Sequence, residues 1–142
     1  MEINLKVGFI GLGNMGAPMA LNLAKGGIEV FGFDADSSIK LPELTMTLCI
    51  PSLLKEVDVV FTMLPSGLIV KDIINEFISD FSAKSTLIDC STIDVKTTKE
   101  VCKILHKKDI FMLDAPVSGG VQGAKSGLSL IHISEPTRRP II

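Results

Sequence analysis

Three glycines near the N-terminus have a spacing that suits the binding of phosphate groups. Residues 11–16 fit the pattern G-x-G-x-x-G. The first glycine of this pattern permits a tight turn, the second lets the backbone approach a pyrophosphate, and the third lets a helix pack closely on a strand. The segment is therefore expected to hold the diphosphate of a dinucleotide at a helix N-terminus, although a glycine turn without a ligand stays open. The expected contacts are Gly11, Leu12, Gly13, Asn14, Met15 and Gly16.

The pattern is informative only where a strand ends before it and a helix begins after it. Residues 6–10 form a short apolar run that predicts a buried strand, and residues 14–25 have apolar side chains at helical spacing. Further strands are predicted at 28–33, 45–49, 57–62, 86–89 and 110–113, and further helices at 52–56, 67–79 and 94–106. This alternation predicts a doubly wound, mostly parallel α/β sheet of the Rossmann type, in a dinucleotide-binding domain over residues 1–127.

An acidic residue, Asp34, ends the second predicted strand. A carboxylate at this place accepts hydrogen bonds from the adenosine ribose hydroxyls and repels a 2′-phosphate. We therefore expect NAD as the cofactor, with NADP disfavoured. Two alternatives stay open, namely Asp34 as an ordinary turn former, and Ser37, Ser38 and Lys40 as the holders of a phosphate.

Longer stretches of the sequence resemble the β-hydroxyacid dehydrogenase family, and within it the 3-hydroxyisobutyrate dehydrogenases. Residues 7–16 are similar to the family's N-terminal signature, residues 62–65 to the loop after its fourth strand, and residues 89–94 to its segment near the nicotinamide. Ile69 stands where members often carry an asparagine. The resemblance implies cofactor contacts at Leu64, Pro65 and Thr92.

A fourth segment, residues 114–124, is similar to the family's substrate-binding signature. By that resemblance Ser118, Gly119 and Gly120 bind the carboxylate of a small hydroxy acid. The resemblance implies a full-length enzyme, in family members usually a homo-oligomer, that uses NAD to oxidise a 3-hydroxyisobutyrate-like acid to its semialdehyde, a step of valine catabolism. Two other functions stay open: an NADPH-dependent reductase of tartronate or succinic semialdehyde or of glyoxylate, and a non-catalytic dinucleotide-sensing module.

The family's catalytic lysine and its helical C-terminal domain are expected to lie beyond the end of this chain. Lys125 does not match the catalytic position, so no catalytic residue is expected within the chain. Residues 128–138 resemble a translated sequencing adapter rather than any part of the family. We therefore expect residues 128–142 to be a non-native tail, and the chain to be a truncated and inactive fragment.

Composition and charge argue against several other classes of protein. A net charge of −2 over 142 residues has no basic excess for binding nucleic acid. The apolar runs are far shorter than the roughly 18 residues of a membrane span. Three cysteines without a C-x-x-C pair, together with two histidines, do not predict a metal site. With no signal or transit peptide recognised, a cytoplasmic protein is expected, or one of the mitochondrial matrix for a eukaryotic source.

Overall fold

The computed structural model describes residues 5–117, in which strands and helices alternate along the chain. The strands are β1 (Lys6–Ile10), β2 (Glu29–Phe33), β3 (Thr45–Met46), β4 (Val59–Thr62), β5 (Thr86–Asp89) and β6 (Phe111–Asp114). The helices are α1 (Gly16–Lys25), α2 (Ile50–Glu56), α3 (Gly67–Phe77) and α4 (Val95–His106). A 3₁₀ turn at Ile78–Asp80 follows α3.

The six strands form one parallel sheet in the order β3-β2-β1-β4-β5-β6. The chain runs outward from β1 through β2 to β3, crosses back to place β4 beside β1, and then runs outward again to β6. The predicted doubly wound sheet of the Rossmann type is thereby confirmed. Its strand order reverses between β1 and β4, which is the place where open α/β sheets bind their ligands.

The sheet separates two apolar cores, and β1 contributes to both because successive side chains of a strand point to opposite faces. Val7 and Phe9 lie in the core that α1 covers, where Phe9 stacks on Phe61 of β4 with the ring centroids 5.5 Å apart. Ile10 lies in the core that α2, α3 and α4 cover. The most buried helix side chains are Met19 and Ala20 of α1, Leu53 of α2, Val70 and Ile74 of α3, and Val101 and Leu105 of α4. Burial on both faces explains why the strands are continuous apolar runs.

Local sequence explains where the helices begin. In α2 a proline, Pro51, stands in the first turn, where its missing amide has no intrahelical partner to lose. In α3 the hydroxyl oxygen of Ser66 accepts a hydrogen bond from the amide of Ile69 at 3.3 Å and so caps the helix. Asp94 is the residue before α4, and Gly26 follows α1.

Several predicted elements have slightly different bounds in the structure, and the largest difference is at the third strand. The third strand was expected over 45–49 but contains only Thr45–Met46, and the helix expected from residue 52 already begins at Ile50. The amide and hydroxyl of Thr47 both donate to the carbonyl of Gly32, at 2.8 and 3.1 Å, after which the chain bends into α2. The strand therefore stops at Met46 because the chain bends through residues 47–49 before α2 begins.

Candidate functional site

The candidate site lies at the carboxyl edge of the sheet, where β1 and β4 end side by side. Their last residues, Ile10 and Thr62, are register partners. The chain after β1 leads into α1 on one face of the sheet, and the chain after β4 leads into α3 on the other face. The two loops therefore diverge and leave a crevice between them, as expected at the point where the strand order reverses.

This crevice contains a cavity of about 430 Å³. One wall is the loop of residues 11–16, the far end is Asp34 and Ala35 after β2, and the other wall is the loop after β4 with two isoleucines of α3. Eight of the residues predicted to bind a cofactor line the cavity: Gly11, Gly13, Asn14, Met15, Gly16, Asp34, Leu64 and Pro65. Ile69 lines it too, so that the wall is apolar where family members often carry an asparagine.

Two predicted contacts do not line this cavity. The side chain of Leu12 is 2% exposed and belongs to the core under α1, and its cofactor contact stays a prediction. Thr92 is exposed at the end of β5, and its contact stays a prediction. The predicted substrate contacts Ser118, Gly119 and Gly120 lie outside the described residues, as does the predicted tail at 128–142.

The three glycines of the loop have three different reasons to be glycine. Gly11 has φ +100°, and a Cβ there would collide with the carbonyl oxygen of Met63. A Cβ on Gly16 would collide with the carbonyl oxygen of Gly11 and lie 3.3 Å from the ring of Phe9. A Cβ on Gly13, by contrast, would meet no atom of the described residues within 4 Å. Packing therefore accounts for Gly11 and Gly16, whereas the space beside Gly13 is a cradle that a ligand can fill.

The start of α1 lines the same cavity. Its first i→i−4 hydrogen bond runs from the amide of Ala17 to the carbonyl of Gly13, at 3.0 Å. Helix geometry therefore leaves the amides of residues 14–16 without an intrahelical acceptor. Met15, at the N-cap, makes no side-chain capping hydrogen bond. An anion bound here would receive these amides and the positive end of the helix dipole.

Asp34 lies beside the loop with both carboxylate oxygens hydrogen-bonded. Oδ2 accepts from the amide of Leu12 at 2.7 Å, and Oδ1 accepts from the amide of Asp36 at 2.8 Å. The next carboxylate along the chain, Asp36, accepts from the hydroxyl of Ser38 at 2.6 Å and from its amide at 2.9 Å. The Ser38 hydroxyl bond holds the pKa of Asp36 below its usual value. The Ser38 hydroxyl, one of the alternative groups predicted to hold a phosphate, therefore already donates a hydrogen bond to a carboxylate.

A buried polar network supports the loop after β4. Asp89, at the end of β5, is 0% exposed, and its Oδ1 accepts from the hydroxyl of Thr62 at 2.8 Å and from the amide of Ser91 at 3.1 Å. The hydroxyl oxygen of Ser91 in turn accepts from the amide of Leu64 at 2.8 Å. Burial raises the pKa of Asp89, and the nearby carboxylate of Asp114 adds to that effect. Within the described residues Oδ2 of Asp89 has no hydrogen-bond partner.

Sequence reasoning missed this network. Its signal was the series of polar residues that end neighbouring strands, since Thr62, Asp89 and Asp114 are register partners across β4, β5 and β6. Polar side chains on the same face of adjacent parallel strands lie close enough to bond. The resemblance implies a cofactor contact at Thr92 in this segment, which stays a prediction, and the structure adds Ser91 as the residue that holds the cavity wall.

Metal binding and membrane insertion have no support in residues 5–117. No group of three histidine, cysteine or acidic side chains comes close enough there to hold a metal ion. None of the helices in this range combines the length and apolar character needed to cross a membrane. The cysteines are all free, with Cys49 exposed and both Cys90 and Cys102 buried.

Comparison with known proteins places the chain among dehydrogenases. Residues 6–135 match the family described as the NAD binding domain of 6-phosphogluconate dehydrogenase. The 2-(hydroxymethyl)glutarate dehydrogenase of Eubacterium barkeri is 34% identical over 145 residues, which cover 94% of this chain and 46% of that protein. The mitochondrial 3-hydroxyisobutyrate dehydrogenase of Mus musculus is 38% identical over 134 residues, which cover 89% of this chain and 40% of that protein.

A solved structure agrees with these similarities. Mycobacterium tuberculosis 3-hydroxyisobutyrate dehydrogenase, solved with L-serine, superposes with a TM-score of 0.83 at 37% identity, over 87% of this chain and 44% of that one. The chain thus spans less than half the length of each of these three proteins. The family match also extends beyond Gly127, where the sequence predicts the domain to end, and that boundary stays a prediction.

Proposed function

The chain belongs to the β-hydroxyacid dehydrogenase family, whose NAD-binding domain it contains, and from this premise we propose that it binds NAD for the oxidation of a small 3-hydroxy acid to its semialdehyde. The activity is proposed for the whole protein, of which this chain supplies the dinucleotide-binding part. Two relatives support this substrate class, because their names describe acids with a hydroxyl on the carbon β to a carboxylate.

The open space beside Gly13 is the observation that carries the cofactor assignment. Nothing inside the described residues requires glycine there, since its φ is not in the left-handed region and a Cβ would touch nothing. Gly11 and Gly16 are required by packing, so the loop as a whole is a built cradle rather than a flexible turn. A diphosphate that lies against Gly13 receives the amides at the start of α1.

Each predicted residue then has a defined task. The amides of residues 14–16 hold the diphosphate, Asp34 accepts from the adenosine ribose hydroxyls, and the apolar loop at Leu64 and Pro65 covers the dinucleotide. Thr92 is proposed to lie near the nicotinamide. The chemistry that NAD supplies when bound is the acceptance of a hydride from the hydroxyl carbon of the substrate. The substrate carboxylate is assigned to Ser118, Gly119 and Gly120, which offer a hydroxyl and backbone amides.

Acid–base catalysis is not assigned to any residue of this chain. In the whole protein, proposed to be a homo-oligomer, it belongs to the family's lysine. The chain alone is therefore expected to bind the dinucleotide without turning it over. We propose the cytoplasm as its compartment, with the mitochondrial matrix as the alternative for a eukaryotic source, and cell fractionation tests this.

A preference for NAD over NADP is supported by the charges around Asp34. Asp34 lines the cavity and accepts from the amide of Asp36, so the Asp34 carboxylate stands where a 2′-phosphate would approach. The Ser38 hydroxyl already donates to Asp36. Lys40 is exposed and shares a neighbouring depression with Asp34 and Asp36, but it does not line the cavity itself. Desolvating a dianionic phosphate beside the Asp34 carboxylate is unfavourable.

Calorimetric titration of the chain with NAD and NADP tests the assignment, and the Gly13→Ala variant sharpens it. The added methyl group meets open space, so the variant should unfold at the same denaturant concentration as the unaltered chain. The same methyl group occupies the space that the diphosphate needs, so NAD should bind at least about tenfold more weakly, a loss of roughly 1.4 kcal/mol.

Gly26→Ala is the matched control for this experiment. Gly26 follows α1 at its other end, has φ −77°, and an added Cβ lies at an ordinary 3.4 Å from its nearest neighbour. This variant should bind NAD as tightly as the unaltered chain. Unchanged NAD affinity in Gly13→Ala contradicts the proposed phosphate position, and tighter binding of NADP than of NAD favours the semialdehyde reductase.

The substrate class is tested on the whole protein that contains this domain. Hydride transfer from 3-hydroxyisobutyrate, 2-(hydroxymethyl)glutarate and shorter hydroxy acids is followed by NADH absorbance, and the reverse reaction is followed with tartronate semialdehyde and glyoxylate. Oxidation of the 3-hydroxy acids is the expected result. Binding of NAD without turnover of any of them favours the dinucleotide-sensing module.

A further inference from the structure

The peptide unit between Gly11 and Leu12 is held at both of its ends. Its carbonyl oxygen, on Gly11, lies against Gly16 so closely that a Cβ there would collide with it. Its amide, on Leu12, donates to Oδ2 of Asp34 at 2.7 Å. Because a peptide unit is planar, these two contacts fix the orientation of the whole unit.

The end of β2 therefore holds two consecutive amides of the glycine loop. The amide of Gly11 donates to the carbonyl of Phe33 at 3.0 Å, and the amide of Leu12 donates to the side chain of the next residue, Asp34. The buried side chain of Leu12 anchors the same residue in the core. The residues that follow, Gly13 to Gly16, line the cavity.

Asp34 itself is kept in place from its other side. Its Oδ1 accepts from the amide of Asp36 at 2.8 Å, so the carboxylate bridges the glycine loop and the turn after β2. Reversal of the Gly11–Leu12 peptide would turn a carbonyl oxygen towards this carboxylate, which is electrostatically unfavourable. A neutral side chain without acceptors would remove that restraint.

We infer that Asp34 is a positioning residue for the phosphate loop, in addition to its proposed contact with the ribose. It acts through the amide of Leu12, and it contributes to the binding of the diphosphate even when the ligand has no ribose hydroxyl to accept from. This inference rests on the proposed dinucleotide site. It also means that replacing Asp34 to admit a 2′-phosphate weakens the hold on the diphosphate shared by both cofactors.

The test compares ADP with 2′,3′-dideoxy-ADP, which lacks both ribose hydroxyls but keeps the diphosphate. Affinities are measured by calorimetry for the unaltered chain, for Asp34→Ala and for Asp36→Ala. The control removes an exposed carboxylate two residues away and keeps the Asp36 amide that bonds to Asp34. Asp34→Ala should bind dideoxy-ADP about tenfold more weakly, as expected for loss of a charge-assisted hydrogen bond, whereas Asp36→Ala should bind it like the unaltered chain.

A further ligand separates positioning from general destabilisation. Dideoxyadenosine has no phosphate, so a loss of loop orientation leaves its affinity unchanged, whereas a partly unfolded variant binds both dideoxy ligands more weakly by the same factor. The ratio of the two affinities should therefore fall about tenfold in Asp34→Ala. An unchanged ratio, with ADP alone bound more weakly, overturns the inference and leaves the proposed function standing. If the unaltered chain binds neither ADP nor NAD, the proposed function is refuted instead.

Amide hydrogen exchange supplies a measurement that needs no variant. In the unaltered chain the Leu12 amide should exchange at least about tenfold more slowly than an unstructured amide, because it is bonded to Asp34. Exchange at the unstructured rate overturns the inference even if Asp34→Ala fails to fold.

Discussion

The two walls of the cavity each hold a loop backbone in place, but they do so with different side chains. In each wall one loop amide is held by a side-chain oxygen from the end of the neighbouring strand: Leu12 by Asp34 after β2, and Leu64 by Ser91 after β5. The backbone of the glycine wall, residues 11–16, can pack closely because Gly11 and Gly16 have no side chain. The loop at residues 63–65 is held by the polar side chains of Thr62, Asp89 and Ser91 beneath it, and this loop together with these side chains is called the serine wall.

The difference teaches where each wall is vulnerable. The glycine wall has backbone packed on backbone, so an added atom has nowhere to go at two of its three glycines. The serine wall has a fully buried carboxylate, Asp89, whose Oδ2 has no hydrogen-bond partner among residues 5–117. Its Oδ1 accepts two hydrogen bonds, so removing it leaves two donors without an acceptor. Substitutions that add volume should disrupt the glycine wall, and substitutions that remove hydrogen bonds should disrupt the serine wall.

The largest effect is expected from Gly16→Ala in the glycine wall. Its Cβ collides with the carbonyl of Gly11, and that residue is held in place by Phe33 and Met63. Urea unfolding, monitored by circular dichroism, should show that the free energy of unfolding falls by about 3 kcal/mol. Gly13→Ala adds the same atom to the same loop and should keep the original stability. If Gly16→Ala lowers the free energy of unfolding by less than about 0.5 kcal/mol, the loop can shift to accept the methyl group. The proposed difference between the two walls is then wrong.

A smaller effect is expected from Asp89→Ala in the serine wall. The substitution leaves the Thr62 hydroxyl and the Ser91 amide without their acceptor, which should cost about 2 kcal/mol near pH 4. Burial raises the folded-state pKa of Asp89 above 3.8, so its stabilising contribution is complete below that value and is lost as the pH rises through the folded pKa.

The deficit of Asp89→Ala should therefore shrink as the pH is raised from about 4 to about 7. Urea unfolding at a series of pH values measures it. Asp89→Asn keeps an acceptor without the charge and is the control, which should gain stability relative to the unaltered chain over the same range. A deficit that grows with pH shows that the carboxylate is stabilised as an anion and contradicts this account.

The smallest of these effects is expected from Ser91→Ala. It removes the acceptor of the Leu64 amide but leaves Asp89 and Thr62 bonded, so the cost in stability should be about 1 kcal/mol. NAD affinity should fall only a few-fold, because one amide of an otherwise intact wall is released. The exposed serine Ser79 offers a control, since Ser79→Ala should change neither quantity. If Ser91→Ala and Ser79→Ala have the same stability and the same NAD affinity, Ser91 does not support the cavity wall.

The glycine wall could be predicted from the sequence, whereas in the serine wall the resemblance predicted Leu64 and Pro65 but not the hydrogen bonds beneath them. The loop, the strand before it and the helix after it are local patterns, which depend on residues a few positions apart. The bond from Leu12 to Asp34 spans 22 positions, and the bond from Leu64 to Ser91 spans 27. Such bonds depend on strand order and register, which periodicity does not specify. The exact bounds of β3 and α2 were missed for a related reason, since Thr47 bonds back to Gly32 of β2.

The uneven burial of the three cysteines makes the molecule convenient for optical work. The chain has no tryptophan and no tyrosine, so it has almost no fluorescence of its own. Cys49 is exposed, and its hydrogen bond with Ser52 lowers the pKa of its thiol, whereas burial raises the pKa values of Cys90 and Cys102. A maleimide dye therefore couples selectively to one position beside α2, away from the β1–β4 crevice, and provides a label for following coenzyme titrations without an engineered thiol.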